Sequence, residues 1–130
     1  MENNTKQVQQ NNDQTLIYRV LSYIGILWII GLLVNEKNQP EVKFHVGQGI
    51  ILTIAGAIVG AVVGSISVIL GIISGLIDVA AIRIITSLFT TLLSLAVSGG
   101  ELALTIVGIM NAVKNENKPL PVIGKFAFYK

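Results

Sequence analysis

Arg19 and Glu101 are the residues of this sequence best placed to do chemistry, because each stands alone in apolar company (LIYRVLSYIG and VSGGELALTI). An ionised side chain in hydrocarbon costs a few kcal/mol unless it is paired or hydrated, so such charges mark ion paths, proton relays or internal pairs. Arg19 precedes the polar boundary after Val34 and Glu101 precedes the one at Lys114 by comparable lengths of chain. At about 1.5 Å of rise per residue, that places both at similar depth, where they can pair. The alternatives are that Arg19 snorkels to the headgroups, while Glu101 is protonated, faces water or carries protons.

A second group lies in VKFHVGQG at 42–49, where Lys43, His45 and Gln48 open an apolar run. His45 and Gln48 are three apart and share a helix face. Asn111 falls at about their depth in the last apolar run, so a Gln48 to Asn111 hydrogen bond would satisfy both amides. Lys43, His45, Gln48 and Asn111 together form the expected interaction surface. With one His and no Cys, the chain has no ligand set for a zinc site or an iron-sulfur cluster. No Ser stands beside a base suited to nucleophilic catalysis. The expectation is a protein that is not an enzyme and has no cofactor. Asp78 and Arg83, five apart, read as solvated turn residues that do not pair.

The elements that must hold these residues follow from composition. Of 130 residues, 52% are hydrophobic and 12% charged, against about 25% charged in soluble domains; mean hydropathy is +0.73. The stretches 20–34 and 46–77 carry no charge, and a transmembrane helix needs about 20 such residues. The fold class expected is an all-α integral membrane protein with three transmembrane helices, over about 16–34, 44–74 and 88–113. Four spans are the alternative count, since 47–113 can hold two long helices or three short ones. The chain should turn near Asp78, with an interfacial segment near 76–87.

Outside the spans, 1–15 (MENNTKQVQQNNDQT) is polar and expected to be a disordered tail. The 35–43 stretch, with Pro40, reads as a tight connection, and 114–130 as a basic tail that leaves the membrane extended. A cleaved signal peptide fits poorly, because the lead is long and not basic and GLLVNE offers no small-x-small site. Three spans put Lys37, Lys43, Lys114, Lys118, Lys125 and Lys130 on one side and Lys6, Arg19 and Arg83 on the other. The positive-inside rule then gives N-out, C-in. A net charge of +2 gives no reason to expect nucleic acid.

Gly56, Gly60 and Gly64 recur every four residues, Gly71 and Gly75 repeat the spacing, and Gly100 and Gly108, with Ala96, give the last span a comparable stripe. Such faces let helix backbones approach closely. They serve packing within the chain, a second copy, or another membrane protein.

The motifs YIGILWIIGLLVN (23–35), VKFHVGQG (42–49), IVGIMNAVK (106–114) and LPVIGK (120–125) stand in an order that resembles a widespread family of small uncharacterised bacterial membrane proteins. That family is similar to the twenty-kilodalton component of the chloroplast inner-envelope protein translocon and to some magnetosome-membrane proteins. The resemblance covers roughly residues 16–126. It implies shared positions at Lys43, Phe44, His45, Gln48, Gly49, Asn111, Ala112, Pro121 and Gly124, none of them catalytic, and a multi-pass place in the bacterial plasma membrane. The stretch with Asp78, Arg83 and SGGE is longer than the small bacterial members lead one to expect. The plastid relatives have four helices and act in import, but activity does not pass through fold likeness alone.

The function expected is therefore that of an accessory or assembly factor, contacting lipid and binding itself or other membrane proteins through its glycine faces. Its rivals are a small oligomeric channel or transporter using Arg19 and Glu101, and an immunity or membrane-stress protein.

Overall fold

The computed structural model of the chain describes residues 1–34 and 39–127, which among themselves form helices and no strand. In chain order these are α1 (Glu2–Leu21), α2 (Trp28–Val34), α3 (Pro40–Ile77), α4 (Ala80–Val113) and one 3-10 turn (Gly124–Phe126).

The helix ends have local causes. Pro40 opens α3, where its fixed φ suits the first helical position and its missing N–H costs nothing. The α3 helix stops where Asp78 takes a left-handed φ of 51°, a conformation that Asp tolerates better than most residues. At the end of α4, Asn115 is left-handed (φ 58°). Its N–H meets the Ala112 carbonyl at 3.2 Å, while that of Glu116 meets Asn111 at 2.9 Å. These two bonds make a Schellman cap, and Pro119 and Pro121 forbid any further helix.

The segment 16–34 is not one helix. The chain leaves α1 at Leu21, turns through 22–27 on short-range bonds such as Tyr23 N to Val20 O and Leu27 N to Ile24 O, and resumes as the seven-residue α2. Gly25, at φ 54°, supplies the left-handed residue, and hydropathy is blind to such a turn. Two helices, α3 and α4, are long and apolar enough to cross a membrane.

Two compact units divide the chain. The first, Met1–Ile54 with Ala103–Lys130, is here called the head. It has a core of its own: Tyr23, Leu52, Ala112 and Leu120 are buried, with Val20, Leu104 and Val107 against them. Val42, Val46 and Ile50 form a second cluster with Tyr18 and Trp28.

The other unit, Ala55–Leu102, is a hairpin of two helical stretches of about 34 Å each. Its surface is inverted relative to a water-soluble protein. Ile58, Val62, Ile69, Leu76, Ile85, Leu92 and Leu95 are exposed, and Ser74 is its one buried residue. A contiguous apolar surface of this kind is an aggregation site in water and is matched to lipid. Less exposed positions recur every three or four residues, at Val63, Ser67, Leu70 and Ser74 and at Ile82, Thr86, Thr90, Leu93 and Val97. They mark the seam of the hairpin.

Several expectations change. Residues 2–15 are helical, not disordered: the exposed first turns carry a Lys6–Glu2 pair at 2.8 Å, and Thr15, near the other end, lies 2.7 Å from Gln39 Oε1. No separate interfacial segment exists at 76–87, because α4 resumes at Ala80. Asp78 and Arg83 do form an ion pair; Asp78 stands in the turn, so helical spacing does not govern its reach. The tail to Ala127 is folded, with Leu120 and Ala127 buried. Of the expected connection and tail, Lys37 and Lys130 lie outside the described residues.

Candidate functional site

Two of the polar residues singled out in VKFHVGQG, His45 and Gln48, face the inside of the head. His45 is wholly buried and Gln48 is 2% exposed, so neither can touch a partner from where it stands. The first three turns of α3 present Val42, His45, Val46 and Gly49 inward, and the turn at 22–25 packs onto them. The Tyr23 hydroxyl lies 2.7 Å from His45 Nδ1, and Tyr23 and Phe44 both meet the imidazole edge-on, at 5.6 and 5.3 Å between centroids. His45 Nε2 is buried without a partner among the described residues.

Removing the Tyr23 hydroxyl would leave both imidazole nitrogens unsatisfied. Tyr23→Phe is expected to destabilise the head by about 1–3 kcal/mol, read as a lowered Tm. His45→Phe, which removes the imidazole's polar atoms altogether, should restore part of that loss in the double variant.

Gln48 works as a clamp on the C-terminal tail. Its Oε1 accepts from Leu120 N–H at 2.9 Å, and its Nε2 donates to the Gly124 carbonyl at 3.0 Å. Both ends of the amide are thereby spent on backbone. Asn111 instead donates to the Lys118 carbonyl at 3.3 Å, so the amides expected to pair with each other both hold the tail. Lys43 is half-buried near the start of α3.

Arg19, expected as an intramembrane charge, belongs to the head. It is 6% exposed, donates to Asn115 Oδ1 and lies 3.7 Å from Glu41 Oε2. Depth counting failed because it assumed an unbroken helix from Arg19 to Val34. Glu101 belongs to the hairpin, where its carboxylate faces Gly56, and within the head the ion-pair partner of Arg19 is Glu41. Gly56, Gly60, Gly64, Ser67, Ser94, Ser98 and Glu101 line a groove of about 250 Å³.

The glycines divide into two kinds. A Cβ on Gly49 would fall on the Ser22 carbonyl, one on Gly108 on the Tyr23 ring, and one on Gly124 on Gln48. By contrast, Gly60, Gly64, Gly71, Gly75 and Gly100 have open space there. The two glycine stripes therefore do not pack on each other as expected: Gly108 receives Tyr23, Gly56 faces the Glu101 carboxylate, and Gly60, Gly64, Gly71, Gly75 and Gly100 stay uncovered.

Sequence reasoning missed Tyr23 as the partner of His45, and Thr53, whose hydroxyl accepts from Trp28 Nε1 at 3.1 Å and lies 3.0 Å from the Gly25 carbonyl. It also missed Glu41 and Asn115. Buried tyrosine and tryptophan need polar partners, a signal that could have prompted the first two. The last two lie in stretches that read as polar connections. Among the described residues no cluster of His, Asp and Glu could hold a metal.

Comparison with protein-family models, curated proteins and solved structures finds no match to the chain.

Proposed function

We propose that the chain is a non-enzymatic integral membrane protein, an accessory or assembly factor anchored by the hairpin Ala55–Leu102 and binding helices of other membrane proteins along its glycine faces. The observation that carries this reading is the open space beside Gly60, Gly64, Gly71 and Gly75 on a hairpin whose large apolar side chains are mostly exposed. Close helix approach in lipid uses such positions. The suggested kinship with the small bacterial family related to the chloroplast translocon component belongs to the same proposal, and so does the bacterial plasma membrane as its location.

Two crossings alter the expected topology. The chain to either side of the hairpin then shares one side of the membrane, which gathers every Lys and Arg except Arg83 there. The positive-inside rule makes that side cytoplasmic, with both termini in, in place of three spans with N-out, C-in. The chain has no cysteine, so single reporters are clean. An impermeant maleimide on intact cells is expected to label Val79→Cys and to spare Lys6→Cys and Lys125→Cys. Labelling of Lys6→Cys from outside would return the topology to three spans.

For the partner-binding role, Gly60→Leu with Gly64→Leu should remove co-purifying membrane proteins while the head keeps its Tm. A channel or transporter is the rival favoured by the groove at Glu101. If Glu101→Gln abolishes ion or solute flux and the leucine variant leaves complexes intact, the binding reading is wrong.

A further inference from the structure

In the head, Arg19, Asp13, Thr15, Gln39, Glu41 and Asn115 are among the residues lining a cavity of about 730 Å³. That volume lies within the ordinary range of small-molecule sites. Arg19 is a buried cation that is only partly compensated: it donates to Asn115 Oδ1, its ion-pair partner Glu41 is 3.7 Å away with its side chain 47% exposed, and the guanidinium Nε–H has no acceptor among the described residues. A buried guanidinium left so incompletely compensated is costly, and an oxyanion beside it would relieve the deficit.

The other charges on the wall are carboxylates. Glu41 is shared with Arg19, while Asp13 has no cation partner among the described residues. A bare anion would be drawn to Arg19 and repelled by these two. A ligand with an oxyanion at one end and an ammonium at the other meets both, and the side-chain amides of Gln39 and Asn115, with Asn11, Asn12 and Asn117, can bond its remaining polar atoms in either sense.

We infer that this cavity binds a small zwitterion, its carboxylate or phosphate on Arg19 and its ammonium against Glu41 and Asp13. Two sources share that chemistry: a free amino-acid-like solute and the phosphoethanolamine headgroup of a lipid.

Calorimetric titration of the whole protein in phosphatidylglycerol nanodiscs tests this, with glycine and O-phosphoethanolamine set against acetate, methyl phosphate and methylammonium. At least one zwitterion is expected to bind roughly tenfold or more tighter than any singly functional fragment. Glu41→Gln, which keeps the side chain's size and an oxygen that can accept from Arg19, should weaken it by about tenfold, and Asp13→Asn should weaken it less. Adding phosphatidylethanolamine to the discs separates the sources. Loss of the phosphoethanolamine signal identifies the lipid headgroup, and an unchanged signal identifies the free solute. The inference is overturned if the fragments bind as tightly as the zwitterions, if none of the five binds, or if Glu41→Gln leaves zwitterion affinity unchanged.

Discussion

Gly49→Ala is expected to cost the head about 3 kcal/mol or more, because the new methyl would fall on the carbonyl of Ser22 and a backbone group in a packed turn cannot give way as a side-chain tip can. In a domain of this size that is a fall in Tm of about 15 °C. The informative control is Gly60→Ala, about three helical turns further along α3 and identical in chemistry: nothing stands within 4 Å of its Cβ, so the only effect left is the helix preference for Ala, up to about 1 kcal/mol in the stabilising direction. Equal losses for the two variants would mean that α3 does not approach the 22–25 turn as described.

The second large effect concerns the tail. Gln48→Leu removes an acceptor from the Leu120 N–H and a donor from the Gly124 carbonyl, groups that each cost about 1–3 kcal/mol when left buried and unmet. The tail can escape that cost by leaving the head, exposing Leu120 and Ala127, which are buried at 2% and 4%. Brief trypsin treatment should therefore cut after Lys125, which Phe126 follows, in Gln48→Leu while the parent chain resists. Gln48→Glu retains an acceptor for Leu120 but sets an oxygen against the Gly124 carbonyl, and its cleavage rate should fall between the two. Resistance of Gln48→Leu equal to that of the parent would remove the clamp.

The helices were legible where one physical signal dominates. The apolar runs that end in polar or proline-containing sequence marked most of α3 and the last three-quarters of α4, whose first two turns from Ala80 were read as interfacial, and Asp78 marked the turn between them. The 16–34 segment was misread for a stated reason: its hydropathy is that of a span, whereas its course is decided by a left-handed Gly25 and by the Ser22 hydroxyl bonded back to the Tyr18 carbonyl at 2.8 Å. Neither leaves a trace in hydropathy.

The site was legible in its residues and not in its contacts. Gln48, His45 and Arg19 stood out as polar groups among apolar neighbours, but their partners Leu120, Tyr23 and Glu41 are chosen by tertiary packing across long stretches of chain. The tail was read as an extended basic segment because its lysines were counted and its apolar Leu120, Ile123 and Ala127, spaced three and four apart, were not.

The reversal at Asp78 carries a consequence for biogenesis. On the proposed topology the part of the chain that must pass through the bilayer is only the turn and its flanks, and its two charges are already joined as Asp78 with Arg83. The hairpin can thus enter the membrane as one closed unit with no net charge to translocate, and it leaves almost nothing on the far surface for an antibody, a phage or a protease to find.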